Sequence, residues 1–322
     1  MKKTCIALLA MFIASFASAA DDVQSYPNRP IRILMAFAPG GGMDFVMRLI
    51  AQKLTEDWGQ QAILDHKPGA SGIIGLQLAA KAAPDGYTLV PSAIGPFAVN
   101  PSLYAKLPYD PMRDFDSVTN LVSAVNVLVV NASLPVKSVA DLIALAKSKP
   151  GQLKYASSGN GTTDHLAGEL LETMAGIELI HVPYKGGGLS AAAVLAGDVD
   201  MSFSVYLNVA QHVKSGKMRI LAVTADKRWP ALADVPTVGE SLPGFEVDNW
   251  FNLAVPAGTS KDIVAKLNAE VHRILQMPDV TEKLATNGMV PIPSTPEQAD
   301  AHTQAEIAKW AKVIKDAGIR VD

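Results

Sequence analysis

Three loops in this chain carry the residue types that hold a small anion without a metal. Gly40-Gly41-Gly42 follows an apolar run at 31–39 and leads into a helical pattern from Asp44. Ser158-Gly159-Asn160-Gly161-Thr162 follows a strand pattern at 153–157 and leads into a helix reaching Met174. Gly186-Gly187-Gly188 follows 179–184 and leads into a helix reaching Ala196. Glycine lets the backbone come close to a ligand. The helix start behind each loop offers unpaired N–H groups and the positive end of the helix dipole. Three such loops could gather round one anion. None of them contains arginine, so backbone N–H groups and Ser, Thr and Asn side chains would do the holding. That suits a carboxylate that must later be released.

Other chemistries find less support. Gly216-Lys217 is followed by Met218, so the phosphate-binding G-x-x-x-x-G-K-[S/T] pattern is absent. Residues 186–191 fit G-x-G-x-x-A, but Asp198 and Asp200 come too early to serve a dinucleotide ribose. There is no G-x-S-x-G elbow, no H-E-x-x-H, and no histidine pair at helical metal spacing. No catalytic set, cofactor or metal is expected. Four side chains keep two readings. His165 either packs in the first turn of its helix or meets ligand, and Lys185 is either a surface lysine or a source of positive potential. His181 reads as a core or edge residue of its strand. Trp250 and Phe251 either stack on ligand or pack a hinge strand.

The N-terminus reads as an export signal. Lys2 and Lys3 precede an apolar stretch at 6–16, too short to span a membrane, and Ala17-Ser18-Ala19 is a small-residue cleavage site. Cleavage after Ala19 or Ala20 would remove Cys5, the one cysteine, and with it any disulfide or thiolate chemistry. It would also take the 28 basic side chains to 26, against 31 acidic ones. That balance gives no reason to expect nucleic acid or an anionic membrane as partner. With 49% hydrophobic residues the chain can bury a large core.

The elements that must position the loops alternate. A strand at 31–38 precedes a helix at 44–58. A strand at 62–65 precedes Pro68-Gly69-Ala70-Ser71-Gly72 and a helix at 73–83. A strand at 87–91 ends in a second polar loop at 92–96. Alternation of this kind predicts parallel α/β sheets. Runs at 121–130 and 248–255 read as two strands crossing between domains, and helices are expected at 261–275, 279–286 and 297–317. The simplest organisation is a signal at 1–20, domain 1 from 21–124 plus 248–322, and domain 2 inserted at 125–247. Loops at the carboxyl ends of the strands would then face the cleft between them.

Nine segments resemble the Bug family, the extracytoplasmic solute receptors of tripartite tricarboxylate transporters. They are PIRILMAFAPGGGMD at 30–44, PGASGIIG at 68–75, APDGYTL at 83–89, NPSLYAKLPYDPMRD at 100–114, KYASSGNGTTDHLAGE at 154–169, HVPYKGG at 181–187, LAVT at 221–224, DVPTVGESLP at 234–243 and VPAG at 255–258. The resemblance implies an α/β periplasmic binding protein of the two-domain, flytrap-like type II. Each domain would be a mainly parallel sheet flanked by helices. It implies a monomer that delivers an organic carboxylate to membrane permease subunits, without catalysis. By position, Pro39, Gly40, Gly41, Gly42 and Asp44 would face Ser157, Ser158, Gly159, Asn160, Gly161 and Thr162 across the ligand. Tyr184, Lys185 and Gly186 would flank them, and Ser92 would end a neighbouring strand. Asp44 also reads as a helix cap that orders the glycine loop without touching ligand.

One departure stands out. Many members carry Val-Asp-x-x-Phe-Asp, and here Ser204 stands where the second Asp falls. Serine cannot pair with a ligand ammonium, so the expected ligand is a di-, tri- or aromatic carboxylate without a free amine. A sensor feeding a signalling system, or an exported enzyme, are the competing functions.

Overall fold

A computed structural model describes residues 20–317 of the 322. The export signal read at 1–20 lies, but for its last residue, outside them. Among the described residues eleven strands make two sheets. The first has the order β11-β4-β10-β3-β1-β2, with β1 Ile31–Met35, β2 Ala62–His66, β3 Thr88–Ala93, β4 Phe115–Ala124, β10 Trp250–Pro256 and β11 Met289–Pro291. The second has the order β7-β6-β8-β5-β9, with β5 Asn126–Asn131, β6 Lys154–Ser157, β7 Ile180–Pro183, β8 Met201–Val205 and β9 Met218–Val223. The principal helices are α1 Gly42–Trp58, α2 Ile73–Ala79, α3 Val139–Ser148, α4 Thr163–Ala175, α5 Gly187–Ala196, α6 Tyr206–Lys214, α7 Lys261–Leu275, α8 Pro278–Thr286 and α9 Pro296–Ala317.

The α/β architecture matches the sequence reading, but the sheets are mixed rather than mainly parallel. β1 pairs in parallel with β2 and β3, and β6 with β7 and β8, as strand–helix–strand units require. β10 then enters between β3 and β4 and runs against both. In the second sheet β5 runs against β8 and β9. The apolar run at 121–130 is two strands, broken at Val125, one in each sheet. The return crossing lies beside it. Ala124 N–H donates to Asn249 O at 2.9 Å, Thr224 N–H to Asn126 O at 3.0 Å, and Val247 N–H to Thr224 O at 3.0 Å.

Helix α1 shows why the loops are held firmly. Val46, Met47, Ile50, Ala51 and Leu54 recur on one face and are buried against the first sheet. Burial of such side chains contributes about 1.5–3 kcal/mol each. Gly59, at φ 68°, ends the helix with its N–H on Thr55 O. On α4, Gly168 packs face to face with the buried Tyr155, where an added Cβ would lie 2.3 Å from the ring. Alanine favours helix by about 1 kcal/mol over glycine, but overpacking costs about 1–3 kcal/mol. Gly168→Ala should therefore lower stability by up to about 2 kcal/mol in urea denaturation. A gain in stability would mean that Tyr155 yields freely.

Candidate functional site

The first helical bond of α1 runs from Phe45 N–H to Gly41 O at 3.1 Å, so the N–H groups of Gly42, Met43 and Asp44 have no acceptor within the helix. In α4 the first such bond is Leu166 N–H to Thr162 O at 3.0 Å, which leaves Thr163, Asp164 and His165. In α5, Leu189 and Ser190 both donate to Gly186 O, which leaves Gly187 and Gly188. Gly41, Gly42, Met43, Thr163, Asp164 and Gly187 all line one cavity, where the space open to water centres is about 70 Å³. The three helix starts identified in the sequence therefore meet at one place. Two of them, α4 and α5, follow strands of the second sheet, and α1 follows a strand of the first.

The remaining wall is largely apolar. It includes Met35, Phe37, Ile94, Pro96, Val205 and Phe251, with Asn208 and Asn249 as polar points. The two sides of the cleft touch. Ala38 N–H donates to Lys185 O at 3.1 Å. A Cβ on Gly95 would lie 2.8 Å from Gly161 O, and one on Gly188 would lie 3.0 Å from Gly40 O. The cleft is closed over the cavity.

Of the residues singled out in the sequence, Gly41, Gly42, Asp44, Ser158 and Thr162 line this cavity. Gly159, Asn160, Tyr184 and Lys185 line a second cavity of about 230 Å³, which shares Phe37 and Ser158 as walls. The others have different surroundings. Pro39 faces a surface groove beside Arg48 and Gln52. Gly40 gives its N–H to Asp44 at 3.0 Å. Gly186 packs on Ala38, and Gly161 on Asn100 and Leu103. Ser92 is buried with its hydroxyl unpartnered and does not line the cavity. Ser204 is a correction: it lies under Asn208, 3.4 Å from that side chain's Nδ2, and Asn208 is the side chain that reaches the cavity.

Asp44 follows its structural reading. Its carboxylate accepts from Gly40 N–H at 3.0 Å, Arg48 Nε at 2.9 Å and His66 Nε2 at 2.8 Å. Burial alone would raise its pKa. The bonds from Arg48, Gly40 and His66 outweigh that and hold it below the usual carboxylate range. The glycine loop is thereby shaped by a charge that is already compensated.

The second loop is likewise ordered from within. Ser158 gives both N–H and O–H to Asp164 Oδ2, at 3.0 and 2.7 Å. Gly159 N–H donates to Ser157 Oγ, and Gly161 N–H to His165 Nδ1. Nδ1 of His165 is thus an acceptor, and its Nε2 faces Glu169 at 3.4 Å. His165, His181 and Tyr155 stack in series, with centroids 4.2 and 4.8 Å apart. Ser157 Oγ lies 2.6 Å from His181 Nε2. Burial, with His165 beside it, pushes His181 down to about 3, so this ring is neutral. His165 and Ser157 therefore support the loop from behind and do not line the cavity. Most loop N–H groups are used internally, and the helix starts carry the open donors.

Behind this stack, burial pushes Glu172 up to about 7, with Glu169 and Glu178 adding to the rise against a bond from Leu179 N–H. A carboxyl raised on folding stabilises fully below its unfolded pKa, near 4.3, and loses that contribution as pH rises through 7. Glu172→Gln should therefore raise the melting temperature relative to the parent at pH 8, with the gap closing by pH 4. A gap that widens toward pH 4 would contradict that sign.

Phe37, Thr163, Asp164, Asn208 and Asn249 were not singled out as site residues, and they line the cavity. Asn249 Nδ2 donates to Asn126 Oδ1 at 3.1 Å, and Asn126 Nδ2 to Thr163 Oγ1 at 3.2 Å. These buried bonds tie the two crossing segments to the start of α4. Phe251 lines the cavity, while Trp250 packs on His302.

The model of tripartite tricarboxylate transporter family receptors, TctC, matches residues 46–319. BugT of Bordetella pertussis is 34% identical over 319 residues, covering 98% of this chain and 98% of BugT. The solved structure of R. palustris Rpa4515 with adipate has a TM-score of 0.89 at 39% identity, covering 92% of this chain and 99% of that one. MatC from Rhodopseudomonas palustris with bound malate has a TM-score of 0.86 at 32% identity, covering 90% and 100%. Matched along most of its length at this level of identity, the chain belongs to the TctC family, the receptors of tripartite tricarboxylate transporters.

Proposed function

We propose that this receptor captures a small organic carboxylate in the periplasm and delivers it to the membrane subunits of a tripartite transporter. The observation that carries the reading is the meeting of three helix starts at one closed cavity, a place built for an anion. The structural relatives with adipate and malate put dicarboxylates first among the candidates. The described helices include none long and apolar enough to cross a membrane, in keeping with a receptor that works beside its permease. A cleaved signal at 1–20 and a monomeric state belong to the same reading.

The two sheets would move as bodies: 21–124 with 248–322, and 125–247. The crossings at 124–126 and 247–249 are the hinge. Ligand shifts the population toward the closed form by binding both sides at once. Closure excludes water and strengthens the hydrogen bonds to the ligand. The receptor binds and releases its solute unchanged.

Ser204 does not reach the cavity, so it does not set a preference for a ligand without an amine. The carboxyl groups there are Asp44, already paired with Arg48 and hydrogen-bonded to His66, and Asp164. The preference for a di-, tri- or aromatic carboxylate rests on the relatives and on the apolar wall. A thermal-shift screen of succinate, malate, adipate, citrate, terephthalate, benzoate, aspartate and glutamate tests it. A ligand at about 100 times its Kd adds about 2.7 kcal/mol, a shift of several degrees. A stabilising carboxylate recovered unchanged after incubation supports the receptor; a converted product would make the protein an enzyme.

A further inference from the structure

Asp44 and Asp164 occupy matching places. Each lies in the first turn of a helix and accepts an N–H from the glycine loop before it. Their surroundings differ in one respect. Asp44 is paired with Arg48 and His66. Asp164 is only 4% exposed and its hydrogen-bond partners are uncharged: Ser158 N–H and O–H on Oδ2, and Thr163 O–H on Oδ1 at 3.3 Å. Oδ2 takes both Ser158 bonds, Oδ1 takes the long one from Thr163, and the N–H of Asp164 itself also lies against the carboxylate. Thr163 Oγ1 in turn receives Asn126 Nδ2, so Oδ1 ends a buried chain that starts at the hinge.

Asp164 lines the cavity that would receive the solute's carboxylate. Two bare carboxylates in one closed, water-poor space disfavour each other, and a single proton between them removes the repulsion. We propose that Asp164 meets the solute as a neutral carboxyl, its proton on Oδ1 and donated to a solute carboxylate oxygen, so that binding at neutral pH takes up a proton from solvent. The proposal rests on the receptor reading and names the residue that selects the solute's charge state. Burial also raises the Asp164 carboxyl above its ordinary range, against the Ser158 bonds that lower it.

The other charged groups nearby are accounted for. Among the described residues that line the cavity, Asp44 is the only other titratable side chain. Its partners Arg48 and His66 sit behind it on α1 and β2. His165 turns away toward Gly161 and Glu169, with His181 stacked behind. The β3, α5, α6 and β10 sides contribute no titratable group to the cavity, and Lys185 lines the neighbouring one. All of these remain in Asp164→Asn, an isosteric change that keeps an acceptor for Ser158 and supplies a permanent donor.

Calorimetry with adipate and malate from about pH 5 to 8.5 tests the idea, repeated in buffers of different ionisation enthalpy to count protons. Above about pH 6.5 both probes are fully ionised, so their own titration drops out. The parent protein should take up about one proton per adipate, and its Kd should rise by up to tenfold per pH unit. Asp164→Asn should take up about none, lose that slope, and bind more tightly than the parent at pH 8.5. Binding of either probe without proton uptake, or uptake undiminished in the variant, would overturn the inference and leave the receptor reading standing. A preference of the parent for 2-aminoadipate over adipate, lost in the variant, would overturn it in favour of an ionised Asp164 facing an ammonium. No binding of either probe at any pH would sink it together with the dicarboxylate reading.

Discussion

Gly41→Asp should abolish solute binding while leaving the fold intact. Gly41 is the N-cap of α1, at φ −94° and ψ 175°, an extended conformation open to any residue. An added Cβ would find only Gly187 N, 3.9 Å away. Aspartate is also a favoured N-cap, so the unliganded protein should melt at or above the parent temperature. The new carboxylate would stand at the convergence of the three helix starts, where the solute's charge has to sit. At about 4 Å and an effective dielectric constant near 20, two such charges repel by about 4 kcal/mol. That corresponds to a loss of roughly a thousandfold in affinity. Gly41→Asn, of the same size without the charge, should lose far less. Equal losses in the two variants, measured by calorimetry, would mean that bulk matters there and that the anion sits elsewhere.

Gly95→Ala tests closure in the same way. Gly95 lies in the turn after β3 and lines the cavity from the first sheet's side. A methyl group there would fall 2.8 Å from Gly161 O and 3.1 Å from the Thr162 Cα, both backbone atoms of the opposite side. Backbone cannot swing away as a long side chain would. Overpacking of this kind costs about 1–3 kcal/mol, and the cost falls on the closed form because the clash is across the cleft. Affinity should drop by about 5- to 150-fold, with the melting temperature of the unliganded protein little changed. Small-angle scattering should show a larger radius of gyration than the parent at the same ligand concentration. Parental affinity and radius in Gly95→Ala would contradict a cleft closed this tightly in the bound state.

Local patterns carried much of this structure, and the non-local features were hidden for identifiable reasons. The helix read at 261–275 is found at Lys261–Leu275, because its apolar stripe and flanking loops are encoded within those residues. The three glycine loops were legible because close approach restricts the residue type locally. The antiparallel half of each sheet was not. Whether β10 enters beside β3 or at an edge depends on a partner more than a hundred residues away. Val125, where one apparent strand becomes two, is itself an apolar, strand-favouring residue and carries no turn signal. Ser204 was misjudged because strand alternation turns it under α6, and Asn208, one helical turn on, takes the place at the cavity. For Asp164 the signal in the sequence is an acidic side chain in the first turn of a helix, one that a plain helix-capping role carries equally.

The central claim is that the solute carboxylate sits where α1, α4 and α5 begin. The most direct test is a crystal structure of the protein with the carboxylate that raises its melting temperature most. It should show a carboxylate oxygen at hydrogen-bond distance from the N–H groups of Gly42 or Met43 on one side and Thr163 or Gly187 on the other, in a closed cleft. A carboxylate held only in the neighbouring cavity, beside Asn160 and Lys185, with the three helix starts bare, would contradict it.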